Sequence, residues 1–313
     1  MKQDKFLLIN GNREYLSPLI LSGNLIVSGM TVPEAYTFSE KIISNIPSDG
    51  IKKDDFLILL IAELPDKIKM RFVLLELVKK YILSGKNQGP LFIFIGGMGG
   101  KTLLGNFISQ QLGVNQAVAI DNEKYRLADP KVDQSYLWKA TYESSQGYLE
   151  TVKKLTPWMI KMIERNVFDF RRYKKWCYLW EGIYLSPQAV KNLYSSFAKI
   201  DFLSIFILPK FDDIKRQYLI RWERELGVKQ LSKRKNLIDA YLQNIEAIRT
   251  HISKNIDPIA SFVIDSPIFE ERLSIFYALL NQKFTDIADR EFPGWAEKVT
   301  RKPSELLQFN SSF

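Results

Sequence analysis

Apolar and polar residues follow more than one rhythm along this chain. A short apolar run, Phe6–Ile9, reads as a strand, and Asn10-Gly11-Asn12 is a turn signal behind it. Pro18–Ser28 and Pro33–Ile46 read as two helices, broken at Ser28-Gly29-Met30-Thr31. Thr31 is a good N-cap, with Glu34 three residues on and Pro33 in the first turn. Helical spacing continues from 54 to 84. Leu57, Leu60, Ile61 and Leu64 share a face, and Phe72, Leu75, Leu77, Val78 and Ile82 follow in a second stretch.

After the linker Ser84-Gly85-Lys86-Asn87-Gln88-Gly89-Pro90 the rhythm changes. Leu91–Ile95 is unbroken apolar sequence, as expected of a strand buried on both faces of a parallel sheet. Thr102–Leu112 reads as a helix that stops at Gly113. Ala117–Ile120, Trp176–Leu185, Phe202–Leu208 and Ser261–Ile264 are further strand candidates. Tyr136–Arg165, Ser186–Ala198, Asp212–Leu226 and Asn236–Lys254 are the helical stretches between them. This alternation predicts an α/β fold, a parallel sheet flanked by helices. Three segments follow: a mostly helical domain over 1–88, an α/β domain over 89–280, and a C-terminal extension over 281–313 whose pattern assigns no element.

Composition narrows the chemistry. The 313 residues carry a formal net charge of +9, which favours anionic partners such as nucleotides and phosphorylated metabolites. Cys177 is the sole cysteine, so an internal disulfide and a cysteine-rich metal site are excluded; in its apolar run it reads as a buried thiol. His251 is the sole histidine, with no nucleophile motif beside it. The N-terminus lacks the apolar core of a secretion signal, and the longest strongly apolar run, Phe56–Ala62, is too short to span a bilayer. A cytoplasmic protein without a membrane partner is expected.

The segment Gly96-Gly97-Met98-Gly99-Gly100-Lys101-Thr102 lies between a predicted strand and a predicted helix. Glycines let the backbone turn and aim amides inward, and a helix N-terminus adds partial positive charge. Lys101 can reach terminal phosphates, and the Thr102 hydroxyl can hold magnesium. Only Gly97, Met98 and Gly99 separate Gly96 from the Gly100-Lys101 pair, so the loop is one residue shorter than the standard phosphate loop. ATP and Mg²⁺ are the cofactors this segment implies.

Ligands of open α/β sheets bind beyond the carboxyl ends of the strands. Asp121, Glu181 and Asp265 stand at such ends, where a carboxylate can hold magnesium or orient an acceptor hydroxyl. Glu181 is the most suggestive, because a charge inside an apolar strand is costly without a partner. With Lys101, Asp121 and Glu181 form the candidate catalytic set, and Thr102 and Glu181 the candidate metal set. Lys124 and Arg126 could clamp an anionic substrate. Arg216, Arg221 and Arg224 fit a lid that neutralises charge on a transferring phosphoryl group, with Arg221 and Arg224 also in the catalytic set. The plain alternative is a solvated helix pairing with Asp212, Asp213, Glu223 and Glu225.

Over roughly residues 5–275 the chain resembles the archaeal 2-phosphoglycerate kinase family. Phe6-Leu7-Leu8-Ile9-Asn10-Gly11-Asn12-Arg13-Glu14-Tyr15 and the helices after it resemble the ATP-cone-type domain that precedes the kinase there. Ile120-Asp121-Asn122-Glu123-Lys124 is similar to the family's acidic-then-basic segment, and Trp180-Glu181-Gly182-Ile183-Tyr184-Leu185-Ser186-Pro187 to its strand end. Arg216–Arg224 and Lys233–Tyr241 resemble its lid and following helix. The resemblance implies a P-loop kinase-like domain that phosphorylates a small phosphorylated hydroxy acid with ATP and magnesium. Two other readings stand beside it. One is a nucleotide-binding regulatory or interaction protein without phosphotransfer. The other, less favoured, is a nucleic-acid surface built on Arg171-Arg172-Tyr173-Lys174-Lys175-Trp176. A homo-oligomer is compatible with all three.

Overall fold

A computed structural model of the chain describes residues 5–9, 12–86, 88–114, 117–123, 144–173 and 175–301. The chain divides into two compact units. Within the described residues, one takes in 5–86, 108–114 and 277–301, and the other 88–107, 117–123, 144–173 and 175–276.

The first unit holds a three-stranded sheet. Strand β1 (Phe6–Ile9) pairs antiparallel with β2 (Asn12–Tyr15) and parallel with β3 (Ile51–Lys52). Four helices follow the chain: α1 (Pro18–Val27), α2 (Val32–Ser44), α3 (Lys53–Glu63) and α4 (Asp66–Leu83). Their starts are written locally. Ser17 caps α1 ahead of Pro18, and Glu34 accepts hydrogen bonds from the Thr31 amide (3.0 Å) and hydroxyl (2.7 Å) at the head of α2. Leu25, Ile42, Leu60, Val73, Val78 and Ile82 are fully buried in this unit.

The second unit is built on five parallel strands in the order β5-β6-β4-β7-β8. These are β4 (Leu91–Gly97), β5 (Val118–Ala119), β6 (Cys177–Glu181), β7 (Phe202–Ile207) and β8 (Phe262–Ile264). Every residue of β4 is buried, which is why its sequence is continuously apolar. The remaining helices along the chain are α5 (Lys101–Gln111), α6 (Ile120–Glu123), α7 (Ser145–Tyr173), α8 (Pro187–Ser196), α9 (Phe211–Leu226), α10 (Val228–Lys233), α11 (Lys235–Asn255), α12 (Phe269–Glu291) and α13 (Trp295–Arg301), of which α13 and the later parts of α5 and α12 group with the first unit. Side chains of α7, α8 and α11, among them Tyr148, Met159, Leu193 and Ile245, bury against Phe92, Phe94, Trp180 and Phe206 of the sheet.

The expected strand at Ala117–Ile120 is shorter, because Ile120 already begins α6. The expected helix at Tyr136–Arg165 is described from Ser145 and runs on to Tyr173. The expected border at 280/281 falls inside α12, whose residues from Tyr277 onward group with the first unit. Among the described residues no helix is long and apolar enough to cross a membrane.

Candidate functional site

Chain order and strand order set the place of the site. From β4 the chain goes to the β5 border of the sheet, and from β7 it goes to β8 at the other border. Outgoing connections therefore part at the carboxyl ends of β4 and β7, the place where open α/β sheets form a ligand crevice. A cleft of about 470 Å³ lies there, lined by Gly99, Gly100, Lys101, Thr102, Asp121, Gln217, Tyr218 and Arg221.

The glycine segment splits into two functions. Gly96 and Gly97 are still strand, paired with Phe206 and Ile207 of β7. A Cβ on Gly97 would lie 2.2 Å from the Ile207 carbonyl oxygen, and its φ is +89°. Met98 is buried, and its amide donates to the same carbonyl at 2.7 Å. These three predicted nucleotide-binding residues therefore anchor the loop to the sheet and do not line the cleft. Gly99, Gly100, Lys101 and Thr102 do line it. Among the described residues, their four amides donate to no backbone carbonyl; the first helical bond of α5 is Leu104 N–H to Gly100 O, at 3.1 Å. The shortened loop thus still presents a row of unengaged donors at the start of an 11-residue helix.

Lys101 does not point away from this row. Its Nζ lies 3.1 Å from Asp121 Oδ2 and 3.9 Å from Glu181 Oε2. The Thr102 hydroxyl donates to Glu181 Oε1 at 3.1 Å. Asp121 is fixed from its other oxygen, Oδ1, which accepts the Ile183 amide at 2.9 Å. One cation and two carboxylates therefore meet at the cleft, Lys101 and Asp121 in its lining and Glu181 buried next to them.

Their protonation follows from that company. Burial alone would lower the Lys101 pKa, but Asp121 and then Glu181 outweigh it and hold the pKa above the usual lysine value. Glu181 is 2% exposed, and burial pushes its pKa above the usual carboxylate range; Lys101 pulls it back and Asp121 pushes it further up. Among the described residues, Glu181 Oε2 is buried without a hydrogen-bond partner. Such an oxygen is what a site for a hard cation leaves open.

Comparison with known protein families, curated proteins and solved structures gives no match.

The other expected residues fall in three groups. Arg221 lines the cleft, and its Nε binds Glu225 Oε1 at 2.7 Å. Arg216 and Arg224 are exposed and outside the lining, with Arg216 at 3.3 Å from Asp213. Asp265 is exposed at the end of β8, also outside the lining. Lys124 and Arg126 lie outside the described residues.

Sequence reasoning missed three residues. Gln217 and Tyr218 enter the cleft from the second turn of α9. Arg272, on α12, is 3% exposed and donates from Nη1 to the Gly99 carbonyl and from Nε to the Ser266 carbonyl. A buried arginine next to Phe269 and Phe276 at helical spacing was the available signal.

Proposed function

We propose that this protein is an ATP-dependent phosphotransferase with a P-loop kinase-like domain, acting on the hydroxyl of a small anionic acid. The reading rests above all on one observation. Lys101, Thr102, Asp121 and Glu181 converge at the carboxyl end of a parallel sheet, beside four unengaged amides. The resemblance to 2-phosphoglycerate kinases points the same way, including an ATP-cone-type first unit.

The donor set fits magnesium. It offers the Thr102 hydroxyl and the Glu181 carboxylate, all oxygen, and magnesium in such sites takes one or two carboxylates and completes its shell with water and phosphate. When bound, it would neutralise charge on the β- and γ-phosphates. Thr102 Oγ1 and Glu181 are the groups that would hold it.

The chain's own residues supply the rest. The amides of Gly99 to Thr102 and the start of α5 bind phosphate oxygens. Lys101 exchanges Asp121 for the terminal phosphates, which leaves Asp121 Oδ2 free to accept a proton. Oδ1 stays tied to the Ile183 amide, so the carboxylate keeps its orientation. The acceptor oxygen forms its bond to the γ-phosphorus as the bond from that phosphorus to the β–γ bridging oxygen breaks. ADP leaves with the electron pair, and the acceptor's proton goes to Asp121. Arg221, released from Glu225, can compensate charge on the anionic acceptor.

ATP with magnesium is expected to raise Tm by roughly 5 °C at about 100 times Kd. Lys101→Ala should abolish that rise and lower transfer to phosphorylated hydroxy acids about 10²–10³-fold. Absence of any rise at millimolar ATP would sink the reading. Binding without transfer to a panel of such acids would convert it to a nucleotide-binding regulatory protein.

A further inference from the structure

The phosphate loop is one residue short, yet its last peptide before Lys101 is held from behind. Arg272 sits in the first turn of α12 and is almost wholly buried. Its Nε donates to Ser266 O and its Nη1 to Gly99 O, so one planar guanidinium ties the β8–α12 connection to the loop. Nη2 is buried with no hydrogen-bond partner among the described residues. A buried guanidinium is costly to desolvate; here two carbonyl oxygens accept from it and Asp213 is near enough to favour its charge.

The geometry of the peptide bond gives this contact a consequence. In a trans peptide the N–H points opposite to the C=O. With Gly99 O turned toward Arg272, the Gly100 N–H is turned away from it. Gly99 and Gly100 both line the cleft, and among the described residues the Gly100 amide has no backbone acceptor. Gly100 has φ +88°, and a Cβ there would lie 2.5 Å from Arg272 Nη1. The guanidinium therefore packs directly against the segment it orients.

We infer that Arg272 is a positioning residue: it fixes the Gly99–Gly100 peptide so that the Gly100 amide is presented to a bound phosphate. This replaces a donor-orienting constraint that a longer loop would obtain from its own wrap. The inference rests on the phosphate-binding reading of the cleft and adds a residue to it.

Amide NMR with inorganic tripolyphosphate, and with ATP and magnesium, separates the two claims. In the wild type, the Gly100, Lys101 and Thr102 amide resonances should all move on titration. If none moves with either probe, the phosphate-binding reading itself fails. Given that movement, Arg272→Met should lose the Gly100 response while keeping those of Lys101 and Thr102, and ATP should bind about tenfold more weakly. A general structural lesion would dull all three resonances, and that result, like an intact Gly100 response, overturns the proposal. Should the methionine variant fail to fold, Arg272→Lys takes its place. It keeps the charge but lacks the two-armed fork, so the Gly100 response should shrink selectively. A wild-type response, or equal loss at all three amides, would overturn the proposal there too.

Discussion

Glu181 sits where a carboxylate is disfavoured, at the buried end of β6, and its raised pKa has a measurable sign. A carboxyl whose native pKa exceeds its unfolded value destabilises the fold when ionised. The penalty is absent below about pH 4, grows as pH rises past the unfolded value near 4.3, and is complete above the native one. Glu181→Gln should therefore raise Tm by a few degrees at pH 7.5, with the gain vanishing toward pH 4. Phosphate transfer should fall about 10²-fold or more in the same variant. Thermal melts across pH, beside an activity assay, check both; a variant less stable than wild type at neutral pH would contradict the burial argument. Lys101 has the same sign of dependence in a higher pH window, and starts from a gain where Glu181 ends in a penalty. Its raised pKa gives a contribution that is whole below about pH 10 and is lost as pH climbs through the native value. At this scale the sequence was readable where residue types at a strand end and a loop suggested a shared cluster, and Lys101, Thr102 and Glu181 do come together. Arg272 was not, because its partner is a backbone carbonyl 173 residues away, which leaves no mark on side-chain identity.

Among elements, the β4–α5 unit shows how position decides what a glycine does. Gly97→Ala would push a methyl into the Ile207 carbonyl and force an L-residue to a positive φ, so a loss of at least about 2 kcal/mol is expected. Gly105, inside α5, has room: a Cβ there would meet Leu179, Ala117 and Glu181 side chains at 3.4–3.5 Å, ordinary contact. Gly105→Ala should gain about 0.5–1 kcal/mol through lower unfolded-state entropy. Urea denaturation midpoints test both, and equal effects of the two changes would refute the contrast. The strands β4, β6 and β7 were legible because parallel strands covered on both faces read as apolar runs, and β8 because its three residues are apolar although Val263 is exposed. Helix α12 was legible in principle, since Phe276, Leu280, Phe284 and Ile287 recur at helical spacing and are all buried. The interleaved charges of Asp286, Asp289 and Arg290 obscured that stripe.

For the molecule as a whole, the chain's end belongs to its beginning. Within the first unit, Asn281 Nδ2 donates to the Val27 carbonyl at 3.3 Å, and the Tyr81 and Phe292 rings meet edge to face at 6.2 Å. Phe284, Ile287, Ala288 and Val299 are buried there. A chain stopped after residue 280 discards all four. Burial of one such large apolar side chain is worth about 1.5–3 kcal/mol, against a typical total near 5–15 kcal/mol. Limited proteolysis should then cut within residues 5–86, and a digestion pattern like that of the full chain would disprove the dependence. Sequence pattern could not find this return, because nothing local records which distant segment an apolar face will cover.

The lengths of the strands in the large sheet carry a last consequence. Its three inner strands run seven, five and six residues, while the outer two have only two and three. A border so brief offers a stray chain almost no hydrogen-bonding template, and parallel sheets assemble slowly enough for that exposure to matter. The architecture that gathers the cleft at its centre is thus also one that resists zippering onto its neighbours while it folds.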